Sequence, residues 1–329
     1  MINVHREIEQ LQQLATALEQ QVSQVIVGQQ AVVRGVTIAL LSGGHVLLEG
    51  LPGLGKTMLV RTLARTLQLS SSRVQFTPDL MPADITGTDM LFDHESGRRV
   101  SEFQPGPIFA NLILADEINR GSPKTQSALL EAMQEQTVTV GLNVHKLPLP
   151  FFVLATQNPI ELEGTYPLPE AELDRFFFKL NVGFPSRAEL HEIVSRTTGP
   201  EERRPEAIAD GNTILNIQQL VREIPVAGEV QDYAIRVVLG THADLPEGTD
   251  AARKAVRYGA SPRAAQAIML AGRVYAVLAG RLNVSFDDVR RVAPPALRHR
   301  IILNYEAEAR GATPDSVIAE ILESVPREP

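Results

Sequence analysis

The chain contains no cysteine. That absence rules out a disulfide framework, a thiolate metal centre and a redox role for cysteine. Long apolar runs are missing too. The nearest approach, Val36 to Leu48, is interrupted by Ser42-Gly43-Gly44-His45, so nothing reaches the ~18 residues that a membrane span needs. The opening MINVHREIEQ has no apolar core of a secretory signal. Positive charge is not in surplus either: 31 Lys and Arg face 39 Asp and Glu, for a net charge of −8. A general nucleic-acid binder would carry a basic surface instead, although a local basic pore can sit inside an acidic total. Repeats and low-complexity tracts are absent. A soluble cytoplasmic protein, not integral to a membrane, is the expectation. Hydrophobic content of 44% and charged content of 21% suit a chain that buries a core. The length of 329 residues suits two domains better than one.

What the sequence does have is Gly50-Leu51-Pro52-Gly53-Leu54-Gly55-Lys56-Thr57. It fits the phosphate-binding pattern G-x-x-x-x-G-K-[ST] at every fixed position. His45 to Glu49 before it reads as a buried strand, and Met58 to Gln68 after it has helical spacing. The glycines can take backbone angles closed to other residues. Successive N–H groups can then turn onto phosphate oxygens at the positive end of a helix. Lys56 can reach the β- and γ-phosphates, and the Thr57 hydroxyl can ligate Mg²⁺. The expected nucleotide contacts run from Gly50 to Met58. The turn Ile26-Val27-Gly28-Gln29 can add Val27 and Gly28 as a wall of the adenine pocket, or can be plain core.

Along the chain, Ile2 to Val25 reads as an amphipathic helix packed on the main domain, with Ile8, Leu11, Ala15, Leu18 and Val22 on one face. A second helix covers Gln30 to Leu41, and Val74 to Phe76 reads as a strand. Asp89 to Phe92 and Arg98 to Phe103 flank Asp93-His94-Glu95-Ser96-Gly97 as a hairpin, with His94 a solvent-exposed turn residue. Asn111 to Glu117 is an apolar run ending in two acids, as in a buried parallel strand that delivers carboxylates to its C-terminal edge. There Asp116 would hold Mg²⁺, through water, and Glu117 would polarise an attacking water. Ser122 to Gln134 is a helix capped by Ser122. Thr137 to Val140 and Val144 to Leu147 form a second hairpin around Gly141-Leu142-Asn143. Phe151 to Asn158 is another buried strand, which would bring Asn158 beside Asp116 and Glu117. Arg175, next to Asp174, suggests an ion pair more readily than catalysis on its residues alone. After Phe184-Pro185 the chain reads as helical, with no strand signal. Ser261-Pro262-Arg263 opens a long helix to about Ala279. A cation in that first turn opposes the helix dipole, and a nearby anion such as a γ-phosphate would offset it.

These residues resemble the MoxR-type AAA+ ATPases. The matching pieces are GLPGLGKT at Gly50 to Thr57, QFTPDLMPADITG at Gln75 to Gly87, LADEINR at Leu114 to Arg120 and PKTQSALLEAM at Pro123 to Met133. They continue with ATQNP at Ala155 to Pro159, EGTYPLPEAELDRF at Glu163 to Phe176 and GASPRA at Gly259 to Ala264. They run in the family's order over about residues 26 to 310. The resemblance implies an α/β fold: an AAA+ P-loop αβα sandwich with a parallel sheet, followed by a small all-helical lid. Residues 1–25 would be an N-terminal helix, 26–185 the ATPase core and 186–329 the lid. It also implies ATP and Mg²⁺, and a homo-oligomeric ring, usually a hexamer. Lys56 and Thr57 take the Walker A roles, Asp116 and Glu117 the Walker B roles, and Asn158 is sensor 1. Arg175 maps to a finger inserted by a neighbour. Arg263 maps to sensor 2, serving its own or a neighbour's nucleotide. The two hairpins match inserts that face the pore or partners.

Family members commonly act as chaperones with von Willebrand factor A-type proteins, some in metal-cofactor insertion or complex maturation. The leading reading is therefore an ATP-hydrolysing remodelling motor. A nucleic-acid translocase, a metal-chelatase subunit and a nucleotide switch without turnover are the alternatives. The second hairpin carries only His145 and Lys146 as basic groups, thin for tracking phosphates. Tight duplex or single-strand DNA binding with a steep salt slope is therefore not expected. A titration at two salt concentrations checks this, and a steep loss of affinity with salt would favour the translocase.

Overall fold

The computed structural model describes residues 2–93, 99–159, 164–199 and 203–328. In chain order the first elements are α1 (Ile2–Val25), α2 (Gln30–Ser42), β1 (Val46–Glu49), α3 (Lys56–Thr66), β2 (Ser71–Gln75) and α4 (Pro82–Thr86). The strands β3 (Gly87–Asp93) and β4 (Arg99–Pro105) precede β5 (Leu112–Asp116), α5 (Pro123–Glu135), β6 (Thr137–Val140) and β7 (Asn143–Lys146). Then come β8 (Phe152–Gln157), α6 (Glu170–Leu173), β9 (Phe178–Asn181), α7 (Arg187–Thr197), α8 (Gly211–Glu223) and α9 (Gly228–Leu239). The chain ends with α10 (Asp250–Ala255), β10 (Val256–Tyr258), α11 (Pro262–Leu278), α12 (Phe286–Leu297), β11 (Ile302–Leu303), α13 (Tyr305–Ala309) and α14 (Pro314–Ser324).

Five strands form one sheet in the order β2-β5-β8-β1-β9, and every pairing in it is parallel. Successive side chains of a strand point to opposite faces, and here both faces are covered. Leu112, Leu114, Phe152, Leu154, Val46 and Leu48 enter one core with helices α1 to α3 and the C-terminal helices. Ile113, Ala115, Val153, Ala155 and Leu47 enter a second core with α5. That is why β1, β5 and β8 are apolar at consecutive positions instead of alternating. His45, just before β1, is buried between α5 and β8. Its Nε2 donates to the Met133 carbonyl at 3.0 Å and its Nδ1 accepts from the Val153 N–H at 3.1 Å. Burial lowers its pKa to about 4 and keeps it neutral, the hydrogen bond to the Met133 carbonyl opposing only in part.

The face expected on α1 is the one observed: Ile8, Leu11, Ala15, Leu18 and Val22 are all buried in the larger core, against α2, α3 and α11. Ser122 caps α5 by accepting from the Thr125 N–H at 3.3 Å. Both hairpins form. β3 pairs with β4 from Gly87 opposite Pro105 onward, longer than the sequence indicated. The expected turn at Glu95 to Gly97, with His94 and Arg98, lies outside the described residues, as does Glu163. In the second hairpin Asn143 joins a strand and pairs with Val140.

Three expectations need correction. Strand β2 starts at Ser71 and stops at Gln75, one residue short of Phe76. β9 was not anticipated and extends the sheet beside β1. The region after Arg187 is not purely helical, because β10 and β11 pair as a short antiparallel ribbon. Strands of three and two residues are too short to show a period of two.

In the C-terminal helices, α12 starts at a buried charge. Ser285 caps it, and the Asp288 side chain returns to the Ser285 N–H at 2.8 Å, forming a capping box. Arg281 grips the same carboxylate with two nitrogens, at 2.7 and 2.5 Å, and Asp288 is 1% exposed. Burial pushes the Asp288 pKa up, but the bonds from Arg281 and Ser285 outweigh it and hold it below the usual carboxylate value. Asp288→Asn removes the charge that Arg281 faces and is expected to cost about 3 kcal/mol in denaturant unfolding at neutral pH. A depressed pKa contributes stability above the unfolded value of about 3.9 and loses it as pH falls through the folded value. The gap between wild type and Asp288→Asn is therefore expected to shrink in acid.

Candidate active site

The chain leaves β1 at Glu49 and enters the loop Gly50 to Gly55. Gly53 and Gly55 have φ of 81° and 80°, in the left-handed region that only glycine enters without strain. A Cβ at either would meet nothing within 4 Å. The requirement there is backbone conformation, and the space beside the loop is open for a group to reach the N–H groups. Gly50 is glycine for the opposite reason: a Cβ would come within 2.6 Å of the Val182 carbonyl oxygen. Helix α3 begins at Lys56 with Gly55 as its N-cap, so Lys56 and Thr57 occupy the first turn. The sequence had placed its start two residues later. Lys56 Nζ donates to the Gly50 carbonyl at 2.6 Å. Burial lowers the Lys56 pKa, and Asp116, Glu117 and Glu49 work against that shift.

The sheet register brings the other groups to this loop. Ala115 is level with Ala155, and Glu49 with Gln157. The residues just past Ala115 and Ala155 therefore emerge side by side. The Thr156 hydroxyl donates to Asp116 Oδ1 at 2.6 Å and accepts from the Glu117 N–H at 2.8 Å. Arg73 donates to Asp116 Oδ2 at 2.7 Å and to Gln75 Oε1 at 2.7 Å. Gln75 Nε2 in turn donates to Glu117 Oε2 at 2.8 Å, with Arg120 Nη1 3.4 Å from the same oxygen. Glu117 itself has φ of 56°, a left-handed conformation that costs a non-glycine residue about 1 kcal/mol or more.

Lys56, Thr57, Met58, Asp116, Glu117 and Asn158 all line one cleft of about 380 Å³. Pro52, Gly53 and Gly55 form its loop wall. Gly50, Leu51 and Leu54 support the loop without lining the cleft; Leu54 packs on the larger core. Val27 and Gly28 do not line the cleft either; the next residue reaches the loop. Gln29 Nε2 donates to the Leu54 carbonyl at 3.2 Å, and a Cβ on Gly28 would fall 2.2 Å from Glu189 Oε1 of α7. Among the described residues no cluster of three His, Cys, Asp or Glu can hold a metal alone. Thr57 and Asp116 offer oxygen donors of the kind Mg²⁺ takes when phosphates and water complete its shell. The cleft can thus receive a polyphosphate on N–H groups and a lysine, with carboxylates beside it.

Arg175 and Arg263 do not line this cleft. Both line a second cavity of about 320 Å³, with Asp174 and Arg300. Arg175 Nη1 donates to the Leu130 carbonyl at 3.0 Å and its Nε pairs with Glu172 at 3.2 Å. Arg263 Nη2 reaches Gln134 Oε1 at 3.4 Å. The ion pair expected of Arg175 is thus present, with Glu172 instead of Asp174. Sequence reading missed Arg61, Arg73, Gln75 and Thr156, which also line the first cleft. The available signal was positional: Gln75 ends β2 opposite Asp116, and Thr156 is two residues before Asn158.

The family of ATPases associated with various cellular activities matches residues 45–178, and the AAA lid domain matches residues 249–321. Chaperone MoxR1 of Mycobacterium tuberculosis is 45% identical over 307 residues, 93% of this chain and 80% of that one. YeaC of Bacillus subtilis is 42% identical over 96% of each chain, and MoxR of Methylorubrum extorquens is 31% identical over 95% of this chain and 94% of that one. A crystal structure of a candidate ATPase from Cytophaga hutchinsonii superimposes with a TM-score of 0.90 at 39% identity, over 98% of this chain and 97% of that one. Similarity over nearly the whole length to two proteins named MoxR, together with a parallel sheet that ends at a phosphate loop, makes this chain a member of the MoxR family of AAA+ ATPases.

Proposed function

We propose that this chaperone-like ATPase hydrolyses ATP in the cleft of Lys56 and completes each site with arginines from a neighbouring subunit. One observation carries the reading. Lys56, Thr57, Asp116, Glu117 and Asn158 converge on one cleft, while Arg175 and Arg263 share a different cavity. In the proposed mechanism the N–H groups of Gly53 to Thr57 and the Lys56 ammonium hold the β- and γ-phosphates. Thr57 and, through water, Asp116 would hold Mg²⁺, which would supply neutralisation of phosphate charge. Glu117 orients the attacking water. Gln75 and Arg120 fix one of its carboxylate oxygens, which leaves the other to face the water. Asn158, buried at the end of β8, supplies an amide on the γ-phosphate side. Val27 and Gly28, just before Gln29, border the base.

The wider role follows the relatives. A homo-oligomeric ring, a hexamer that a mass measurement tests, presents the two hairpins to a client. A relative of 45% identity is named a chaperone, which supports remodelling of protein complexes. A von Willebrand factor A-type partner, and a task in complex maturation or metal-cofactor insertion, extend that reading. No helix among the described residues is long and apolar enough to cross a membrane, and a cytoplasmic location is part of the proposal. So is a division into an N-terminal helix (1–25), a core (26–185) and a lid (186–329).

Two experiments test the site. Lys56→Ala is expected to weaken ATP binding about tenfold or more, the loss of one charged phosphate contact. Glu117→Gln is expected to bind ATP normally and to lose turnover about 10²-fold or more. Calorimetry with ATP and a phosphate-release assay read the two, and equal ATP affinity in Lys56→Ala and wild type would sink the phosphate cradle.

Arg175→Ala is expected to bind ATP as wild type does and to lose about 10³-fold in kcat. Mixed with Lys56→Ala subunits in confirmed mixed assemblies, it is expected to regain part of the activity, because some contacts then pair an intact loop with an intact arginine. Wild-type turnover in Arg175→Ala would exclude the finger.

A further inference from the structure

Asp174, the residue before Arg175, is tied to the C-terminal half from two directions. The Ser261 hydroxyl lies 2.8 Å from both of its carboxylate oxygens. Arg300, just past the end of α12, donates from Nε to Oδ1 at 2.8 Å and from Nη2 to the Asp174 carbonyl at 3.0 Å. Arg300 is 3% exposed in its side chain. Its remaining N–H groups reach the carbonyls of Phe176 at 2.6 Å, Phe177 at 3.2 Å and Ala296 at 2.5 Å. Burial works against the charge of that guanidinium, and the Asp174 carboxylate works to keep it. One buried arginine thus clamps the backbone on both sides of Arg175.

Ser261 is also the N-cap of α11, where its oxygen accepts from the Arg263 N–H at 3.2 Å. A single hydroxyl therefore touches the backbone of Arg263 and the carboxylate next to Arg175. The side chains of both arginines then rest on α5, at Leu130 and Gln134.

We infer that Asp174, fixed by Arg300 and joined to Ser261, is a positioning residue that sets Arg175 and Arg263 as one unit. The inference rests on the reading above, that these two arginines act on a nucleotide presented by a neighbour. Two cations that share one phosphoryl group must both be placed within about 0.5 Å, and a misplacement of about 1 Å can cost 10²-fold. Arg175 follows the four-residue helix α6, and Arg263 lies in the first turn of a seventeen-residue helix. Apart from this tie, their spacing would rest on the contacts of their flexible side chains with α5. Asp174 supplies that tie, with its carboxylate held by Arg300 and the Ser261 hydroxyl.

Ser261→Gly is the discriminating variant, because glycine is tolerated at a helix N-cap nearly as well as serine while the bond to Asp174 disappears. It is expected to lower kcat about tenfold, to leave KM and the ATP Kd within about twofold, and to be largely rescued by Ser261→Thr. In an Arg263→Ala background the same change is expected to have almost no further effect, since the coupled partner is gone. The isosteric Asp174→Asn gives a second variant with the same expected split between kcat and KM. If Ser261→Gly and Asp174→Asn both turn over at the wild-type rate while Arg175→Ala does not, the tie is excluded and the arginine assignment stands. A full additional loss in the Arg263→Ala background, or no rescue by Ser261→Thr, also overturns it. Wild-type turnover in Arg175→Ala removes the underlying reading instead.

Discussion

A strand covered on both faces has no room for charge along its length, and that constraint arranges this molecule. Leu112 to Ala115 in β5 and Phe152 to Ala155 in β8 are each at most 1% exposed. An ionised carboxylate in any of those positions would face a desolvation cost of many kcal/mol. The first polar side chains appear where the strands run out, as Asp116 on β5 and Thr156 on β8. Because the strands are parallel, they run out on the same side. The loop after β1 opens on that side too, so one edge of the sheet collects the lysine, the carboxylates and the amide. Once the sheet is buried, the site's location follows.

The two faces of the sheet then take different duties. One face joins α1, α2, α3 and the C-terminal helices in a single continuous core. The phosphate loop is thereby backed by the same packing that holds Arg263 and Arg300. The other face carries α5 and the elements leading to the hairpins. Phe103 stacks on His145 at 3.9 Å between ring centres, and Phe109 lies edge-on to both. The β3–β4 and β6–β7 hairpins therefore touch through an aromatic cluster, and a displacement of one is felt by the other. Helix α5 connects these regions, since its C-terminal turns also support Arg175 and Arg263.

Much of this was legible in the sequence because it is local. The loop pattern, the apolar run into Asp116-Glu117 and the five-residue stripe on α1 each lie within one element. Strand β9 was harder. Its four residues include Lys179, whose charge is met by Glu49 of β1 at 2.5 Å, and that partner is distant in sequence. Arg73 and Gln75 were invisible for a related reason: their importance comes from register with β5, which sequence spacing does not reveal. The bond between Arg300 and Asp174 spans 126 residues. An isolated arginine near a helix end looks like surface, and only the fold shows it buried.

Charge divides unevenly between the two cavities. In the cleft, Asp116 and Glu117 stand close to Lys56 and Arg73, with opposite signs in contact. The second cavity is lined by three arginines, 175, 263 and 300, and by Asp174 alone among the acids. Asp174 is engaged by Arg300, Arg175 has Glu172 on its flank, and among the described residues Arg263 reaches the neutral amide of Gln134. Arg263 also sits at the positive end of α11, where the helix dipole disfavours it. Arg263 is exposed to solvent, which softens that cost and leaves its guanidinium open to a group from outside the chain. Under the proposed reading that group is the polyphosphate of an adjoining subunit. The separation of the cavities then has a chemical consequence: a lone chain can bind nucleotide with its own loop, but rapid hydrolysis has to wait for assembly.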